Sequence, residues 1–436
     1  MHPLTGLIKN DMRESLGVTE PGAIALGVSR ARSLTSGDIV SVTLEINSGI
    51  YKNAFTCGIP GTEETGNLFA AALGAAAGDW TRGLASLEGI DDGDIEAARK
   101  LIAAGKVEIR LHEISSVLYI RAVVKAERGL AEVTIEGAHD HIARVMLNGK
   151  IIAEDQACGN RPEETAPGEA VPADITRFTL GDFWGYAEEV PGPEIDFIQK
   201  AYDLQLGLME EGAGSGRTRI CKTLIADNGG VLLSKDELKS AHAMTSAAIE
   251  ARVLGLGRPA MSITGSGNHG IICTIPLYAC GQVQGIPRER LLRATALSYL
   301  VTMYIKEYSG KLSAFCGCAI AAGTGVSVGR LFLKGGSPRQ AERVIANMAS
   351  SLTGVICTGG NPACVLKAAL AIDIGYKAVR LALDDVSIDG KHGICGKTAE
   401  ETMRYMGRIA SPGMVQTEKE IVDIFRDKEV SFRGGV

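Results

Sequence analysis

The chain has 436 residues, with 45 lysines and arginines against 51 aspartates and glutamates and a net charge of −6. This length supports a large core and two or three domains, and the charge balance argues against nucleic acid or another polyanion as a partner. The cysteines follow no secreted disulfide pattern, residues 1–20 lack a signal-type apolar segment, and no apolar run reaches the roughly 18 to 20 residues of a membrane span. We therefore expect a reduced, cytoplasmic protein without a membrane partner.

The first elements in the chain are predicted to be helical. Residues 3–34 predict a helix, a loop over residues 16–21 and a second helix. Thr19 is the expected N-cap of the second helix, and Pro21 suits its first helical position. An acidic residue at a helix start has an ordinary capping explanation, which therefore competes with any functional role for Glu20.

Glycines punctuate the next part of the chain. Apolar residues alternate with polar ones over Val40–Ile46, which predicts a half-buried strand. The segment Tyr51–Gly66, which contains Lys52 and Asn53, predicts a loop leading into an Ala-rich helix over Leu68–Ala77. Such a loop could hold an anion such as a carboxylate, or it could simply turn the chain.

An antiparallel sheet is predicted after a helix over Ile95–Ala104. Its segments are Val107–Leu111, Leu118–Lys125, Glu132–Ile135 and a hairpin from Ile142 to Ala153 that turns on Asn148 and Gly149. His139 and His141 lie two residues apart, so a strand would place both on one face. They could bind a metal there or form a polar strand edge, and we favour the polar edge.

The composition changes at residues 159–174, where prolines and glutamates are typical of a linker. Beyond it, apolar positions recur with helical spacing in five segments: Phe178–Val190, Ile195–Leu208, Lys235–Leu254, Arg288–Tyr304 and Lys367–Leu383. We therefore expect an α+β protein with two lobes. Residues 1–160 would form an N-terminal lobe with an antiparallel sheet and helices, and residues 175–436 a mostly helical C-terminal lobe.

Four of the ten cysteines fall in two small loops of the helical lobe. Cys316 and Cys318 lie in the first loop, Cys357 and Cys364 in the second, and each loop precedes an Ala-rich run that predicts a buried helix. A helix N-terminus favours thiolate over thiol and would stabilise an anionic metal–sulfur centre. The spacings match no zinc finger. The residues alone leave two interpretations open, an iron–sulfur cluster site and ordinary buried cysteines.

A glycine-rich loop over residues 261–270 also belongs to the helical lobe. Thr264, Ser266, Asn268 and His269 bring hydroxyl, amide and imidazole groups together on a flexible backbone. This mixture can hold the carboxylate and amine of an amino acid, and His269 could move a proton near neutral pH. A turn rich in capping residues explains the same composition without any ligand.

Together these segments resemble the L-cysteine desulfidase family, which is related to the iron–sulfur L-serine dehydratase alpha chain. The matching motifs are Leu16-Gly17 with Thr19-Glu20-Pro21, Lys52-Asn53 leading to Pro60-Gly61-Thr62, Gly265-Ser266-Gly267-Asn268 with Gly270, Leu312-Ser313-Ala314 before Cys316, Cys357 seven residues before Cys364, and Leu383-Asp384-Asp385. The resemblance covers nearly the whole chain.

The resemblance implies a [4Fe–4S] cluster on Cys316, Cys357 and Cys364, although Cys318 is close enough to Cys316 to be an alternative ligand. It also implies an elimination of H2S or water from a small amino acid, which yields a keto acid and ammonia. His269 and Glu20 are then the candidate catalytic residues. The candidate substrate-binding residues are Thr19, Asn53, Ser266 and Asn268. The other cysteines are interpreted as structural or incidental: Cys57, Cys158, Cys221, Cys273, Cys280 and Cys395.

One departure from the family pattern concerns the reaction itself. The family has a cysteine where this chain has Val18, and valine can neither take a proton nor bind iron. His269, Glu20 or Cys318 could act as the base instead, or the chain could act on another β-substituted or hydroxy acid. A cluster-bearing sensor without catalysis is the third interpretation. The oligomeric state stays open, although helices rich in small residues often pack into homodimers.

Overall fold

The computed structural model describes residues 1–157, 174–310 and 312–433. Up to residue 157, most of the helices come first and a run of consecutive strands follows, which confirms the predicted α+β class. The helices are α1 (Pro3–Asp11), α2 (Thr19–Arg32), α3 (Ser48–Ala54), α4 (Gly66–Ala76) and α5 (Asp92–Ala103). The strands are β1 (Arg13–Leu16), β2 (Ser36–Ile46), β3 (Val107–Leu111), β4 (Tyr119–Arg128), β5 (Leu130–Glu136), β6 (His141–Leu147) and β7 (Lys150–Ala157).

From residue 174 onward the described chain is mostly helical, as predicted. It contains α6 (Leu180–Glu189), α7 (Gly192–Ile195), α8 (Gln199–Gly214), α9 (Ile220–Asp227), α10 (Glu237–Val253), β8 (Pro259–Ser262), α11 (Gly267–Gln284), α12 (Arg288–Ser309), α13 (Gly323–Leu333), α14 (Pro338–Leu352), α15 (Ala363–Leu383), α16 (Ala399–Arg408) and α17 (Val415–Arg433). None of the helices in the described ranges has both the length and the apolar character of a membrane span.

Six strands form one sheet in the order β3-β2-β4-β5-β6-β7. Neighbouring strands are antiparallel except β2 and β3, which run parallel. The expected sheet was wholly antiparallel; the difference arises because α3, α4 and α5 lie between β2 and β3 and carry the chain back before β3 begins. Helix α2 packs on β4 and β5 beside α4, and alternate residues of β2, such as Val42 and Leu44, are buried.

Two short elements were missed by the sequence prediction. Helix α3 occupies the start of the segment Tyr51–Gly66, so the loop prediction is wrong for residues 51–54. Strand β1 was assigned to a helix and loop, but it pairs antiparallel with β8. The N-cap of α2 is Val18, not Thr19. Elements this short depend on tertiary contacts, which local sequence patterns do not contain.

Helix α10 is the centre of the helical part and packs against α8, α9, α11 and α15. Its residues from Ala243 to Val253 are all buried, and most of them are small, which lets neighbouring helices come close on every side. This arrangement buries Arg252 in the last turn of the helix.

Two connections join the N-terminal segments to the helical part. The pairing of β1 with β8 brings the start of α2 beside the glycine loop, where the Thr19 hydroxyl donates to the Gly265 carbonyl at 3.2 Å. Lys52 of α3 donates to Glu418 of α17 at 2.6 Å and to the Ser313 carbonyl at 3.1 Å. The predicted linker, apart from Asp174, and Cys158 lie outside the described residues. The two-lobe division therefore stays a prediction.

The Lys52–Glu418 pair should be a large local contribution to stability. Both side chains are buried, with 1% and 7% of their surface exposed. Removing one partner leaves a buried charge without compensation, which typically costs about 3–5 kcal/mol. We expect Glu418→Gln to lower the free energy of unfolding by that amount in chemical denaturation. Asp423→Asn, which breaks the exposed Lys419–Asp423 pair of the same helix, should cost about 0–1 kcal/mol. Equal losses in the two variants would contradict this interpretation.

Candidate functional site

One pocket, partly open to solvent, lies where α2, α3, α10, α12, the glycine loop and both cysteine loops meet. Most of the residues singled out from the sequence line it: Glu20, Asn53, Ser266, Asn268, His269, Cys316, Cys318, Cys357 and Cys364. Thr19 is not among the lining residues. It lies behind the wall, where its hydroxyl contacts Gly265 and Arg252.

The two cysteine loops are joined through their backbones. The Cys316 N–H donates to the Val355 carbonyl at 2.8 Å, and the Cys357 N–H donates to the Ala314 carbonyl at 2.7 Å. Phe315 is thereby paired antiparallel with Ile356. This short ladder places Cys316 and Cys357 on adjacent segments although 40 residues separate them in the sequence.

The second cysteine loop is also tied to α3. The Gly360 N–H donates to the Asn53 carbonyl at 3.0 Å. Gly359 has a φ of 86°, and a Cβ there would collide with the Lys52 carbonyl. Only glycine combines this backbone conformation with so close an approach. The contact brings Cys357 Sγ to 3.7 Å from Asn53 Oδ1.

The thiols of the pocket differ in their acidity. A hydrogen bond from Cys318 lowers the pKa of Cys316 to about 6, whereas the same contact and burial raise the pKa of Cys318 well above its ordinary value. Burial raises the pKa of Cys364 to about 12. The expectation that both helix N-termini favour thiolate is therefore wrong for Cys318 and Cys364, because desolvation and neighbouring thiols outweigh the helix dipole there.

The donor chemistry of the pocket fits an iron–sulfur cluster better than a single ion. No three of the described His, Cys, Asp and Glu side chains converge closely enough to hold one metal ion. A cluster has different requirements, because each of its iron atoms takes its own thiolate and the ligands therefore stand apart around one space. The four cysteines line the same pocket, which meets that requirement.

Glu20 lies in the first turn of α2 with only 6% of its surface exposed. Burial alone would raise the pKa of Glu20. Instead, the pKa is lowered to about 2 by nearby His139, by a hydrogen bond from Asn53 and by the charge of Arg252. The Asn53 amide donates to Glu20 Oε1 at 2.9 Å. The carboxylate is thus ionised, which suits it to holding a cation more than to taking a proton.

His139 is part of this site, contrary to the polar strand edge that we favoured. It lies in the turn before β6 and is 5% exposed. Its Nε2 is 3.7 Å from Glu20 Oε1, too far for a direct hydrogen bond, and no other described residue bonds it. His141 begins β6, and its ring Nδ1 is 2.9 Å from the Glu136 carbonyl. The strand-edge interpretation is therefore wrong for His139.

The hydrogen bonds of His269 define which of its nitrogens faces the cysteines. The Thr264 hydroxyl donates to the Ile263 carbonyl at 2.7 Å, so its oxygen accepts from His269 Nδ1 at 2.6 Å. Nε2 then carries the lone pair. A Cβ on Gly317 would lie 2.5 Å from this nitrogen, which shows that it faces the first cysteine loop. Burial and the charges of Lys306 and Arg252 lower the pKa of His269 to about 3, so the ring is neutral.

Sequence reasoning missed the three cations that line the pocket, Arg252, Lys306 and Lys367. Arg252 donates to Asn268 Oδ1 at 3.2 Å and to Thr19 Oγ1 at 3.3 Å. Lys306 of α12 also lines the pocket, and burial lowers its pKa to about 8 although nearby cysteines oppose the shift. The sequence did contain a signal for Arg252 and Lys306. Each is a charged residue in a helix without a polar face, and a charge in such a helix is expected to be buried.

Val18 forms part of the pocket wall. It is 4% exposed, and a Cβ on Gly360 would lie 3.0 Å from Val18 Cγ1. The position where the resembled family has a cysteine therefore faces the second cysteine loop directly.

Comparison with known proteins identifies the family. Residues 81–423 match the model of the serine dehydratase alpha chain. The chain belongs to this family. It is also 39% identical to a UPF0597 protein of Clostridium botulinum (strain Okra / Type B1), over 97% of both chains. A UPF0597 protein of Caldanaerobacter subterraneus is 36% identical over 98% of both chains, and one of Methanocella arvoryzae is 32% identical over 94% of this chain and 95% of the relative.

The serine dehydratase alpha chain match covers only part of the pocket. It includes Arg252, the glycine loop and both cysteine loops, whereas Glu20 and Asn53 precede residue 81. The long matches to the UPF0597 proteins extend over nearly the whole chain. The family assignment confirms the resemblance inferred from the motifs at the level of the serine dehydratase alpha chain.

The lowered pKa of Glu20 predicts a specific pH dependence of stability. Because the folded-state pKa lies below the ordinary value of 4.5, the carboxylate stabilises the fold above that pH, and the contribution is lost as the pH falls toward 2. Between about pH 7 and about pH 4, wild type should lose about 1 kcal/mol more than Glu20→Gln in chemical denaturation. Glu96→Gln, which removes an exposed carboxylate of α5, should follow wild type. Parallel curves for wild type and Glu20→Gln would contradict the assignment.

Proposed function

We propose that this chain is an iron–sulfur-dependent lyase that eliminates H2S or water from a small amino acid. The product enamine would hydrolyse to an α-keto acid and ammonia. The observation that carries the proposal is that four cysteines of two joined loops line the same pocket as an ionised glutamate, two amides and a neutral histidine. Membership of the serine dehydratase alpha chain family supports the reaction class.

In this proposal Cys316, Cys357 and Cys364 hold a [4Fe–4S] cluster, with Cys318 as the alternative to Cys316. When bound, the cluster supplies a Lewis acid that lowers the cost of losing hydrosulfide or hydroxide from an sp³ carbon. Lys306 and Lys367, which line the pocket, would balance the negative charge of the thiolates.

His269 is the proposed base for the Cα proton. Its neutral ring and its hydrogen bond to Thr264 leave the Nε2 lone pair facing the first cysteine loop, as proton abstraction requires. The low pKa of His269 limits its strength as a base. A bound substrate carboxylate and nearby thiolates are negatively charged and would raise this pKa. Asn53, Ser266 and Asn268 would orient the substrate, and Thr19 would support that wall from behind.

The alternatives differ in substrate or in catalysis. The chain could be a dehydratase or isomerase of another small hydroxy or β-substituted acid, or a cluster-bearing sensor. Val18 favours these alternatives, because no thiol is available on that wall. The free thiols of all nine cysteines in the described ranges suit a reducing, cytoplasmic location, and a homodimer stays a prediction.

Anaerobic reconstitution with iron and sulfide tests the proposal. We expect a brown chromophore that is lost in Cys357→Ala and retained in Cys221→Ala, whose thiol is buried outside the pocket. The reconstituted wild type should form keto acid from at least one of L-cysteine, L-serine and L-threonine. Equal colour in both variants would contradict the cluster assignment. Normal cluster content without turnover would contradict the lyase and favour the sensor.

Replacement of His269 tests its role as the base. His269→Gln should lower kcat by about 10²–10⁴-fold while the iron and sulfide content stays at the wild-type level. His242→Gln, which removes a histidine paired with Asp373 outside the pocket, should leave kcat within about twofold. A kcat of His269→Gln close to wild type would assign the base to another group.

A further inference from the structure

The pocket contains two opposite charges that do not pair with each other. Arg252 is 3% exposed and Glu20 is 6% exposed; both line the pocket, yet Arg252 forms no salt bridge with any described carboxylate. Of the five guanidinium N–H donors, two have acceptors, the Asn268 amide and the Thr19 hydroxyl. Nε has none among the described residues. Glu20 and the cysteines act on Arg252 only at a distance. A buried guanidinium without an anion in direct contact is costly, so an anion is expected beside it.

Glu20 is a buried carboxylate that has no cation in close contact among the described residues. Its Oε1 accepts from Asn53, whereas its only ion-pair contact is the distant His139 at 3.7 Å. No hydrogen bond within the described ranges reaches Oε2. The carboxylate therefore has one oxygen held in place and one available for a ligand cation.

We infer that Arg252 binds the α-carboxylate of the substrate and Glu20 binds its α-ammonium group. An α-amino acid carries these charges on two groups attached to the same carbon, so one molecule can contact two fixed side chains of opposite sign. Neither a hydroxy acid nor a simple amine can satisfy both. This assignment rests on the proposed lyase function and names the two residues that recognise its amino acid substrate.

The surroundings of Arg252 support the assignment. Thr19 and Asn268 fix the guanidinium plane from two sides, and a Cβ at position 267 would collide with Arg252 Nε, so Gly267 makes room for it. A planar guanidinium held in this way can bind a carboxylate through two parallel hydrogen bonds.

The two other cations of the pocket face different groups. Lys367 donates to the Thr358 hydroxyl at 2.8 Å. Lys306 lies over the Phe315 ring, and a Cβ on Gly317 would be 3.5 Å from its Nζ. Both are therefore placed to balance the thiolates of the cysteine loops, which leaves Arg252 as the cation beside the glycine loop.

Three ligands of similar size test the inference: L-alanine carries both charges, propionate lacks the ammonium group, and ethylamine lacks the carboxylate. Ligand-observed NMR titrations of the full chain, purified anaerobically, measure each Kd. Wild type should bind L-alanine at least about 10-fold more tightly than either analogue. Arg252→Gln should abolish the preference over ethylamine and Glu20→Gln the preference over propionate, each through a loss of about 10- to 100-fold in L-alanine affinity.

Arg330→Gln is the matched control, because it removes a largely buried arginine that pairs with Glu237 and does not line the pocket. It should keep the wild-type preferences. Equal weakening of all three ligands in Arg252→Gln would overturn the inference and leave a structural role. Loss of bound iron with unchanged ligand preferences would also overturn it and make Arg252 a counter-charge for the cysteine loops.

The ligand test is independent of the proposed reaction, since L-alanine has no leaving group on its β carbon. Selective binding of L-alanine without keto-acid formation from any amino acid would support the inference and overturn the lyase. If the wild type turns over an amino acid but binds L-alanine no better than propionate or ethylamine, the lyase is supported and the inference is overturned.

Discussion

The site depends on the two backbone hydrogen bonds that join the cysteine loops. They fix Cys316 and Cys357 on neighbouring segments, and the third bond, from Gly360 to Asn53, extends the same ladder to α3. Backbone bonds of this kind do not depend on side-chain rotamers, so the thiols are positioned by the main chain. The glycine at position 359 is required because the chain passes directly over the Lys52 carbonyl.

Charge balance is the second constraint on the pocket. Lys52, Arg252 and Lys306 are almost fully buried, and each one faces acidic or thiol groups. Lys52 has a carboxylate partner in Glu418, whereas Arg252 has only neutral acceptors. The pocket itself is lined by three cations, Arg252, Lys306 and Lys367, and by one carboxylate, Glu20. It is therefore suited to anions, whether these are thiolates or a substrate carboxylate.

The sequence predicted what local patterns encode. Alternating apolar residues identified the strands, and the Asn148-Gly149 turn has the positive φ values, 50° and 80°, that this pair favours. Helix α3 and strand β1 were missed because they are held by Glu418 and by β8, far away in the chain. The motifs named most of the pocket residues. Arg252 was not found, and His139 was interpreted as part of a polar strand edge, because their burial beside Glu20 is a consequence of tertiary packing alone.

Because position 18 is a valine, the loop before α2 has no thiol that could take a proton, and substrate binding and proton abstraction are assigned to different parts of the pocket. The apolar side chain of Val18 fills the wall next to Gly360, so the start of α2 contributes only Glu20 as a reactive group, and that carboxylate is held ionised. Its Oε1 already accepts a hydrogen bond from Asn53, and the carboxylate is proposed to bind the ammonium group of the substrate, so it is not assigned the Cα proton. We therefore propose that proton transfer comes from the helical side of the pocket, where His269 turns Nε2 toward the cysteine loop. In the proposed arrangement α2 binds the substrate and α11 supplies the base.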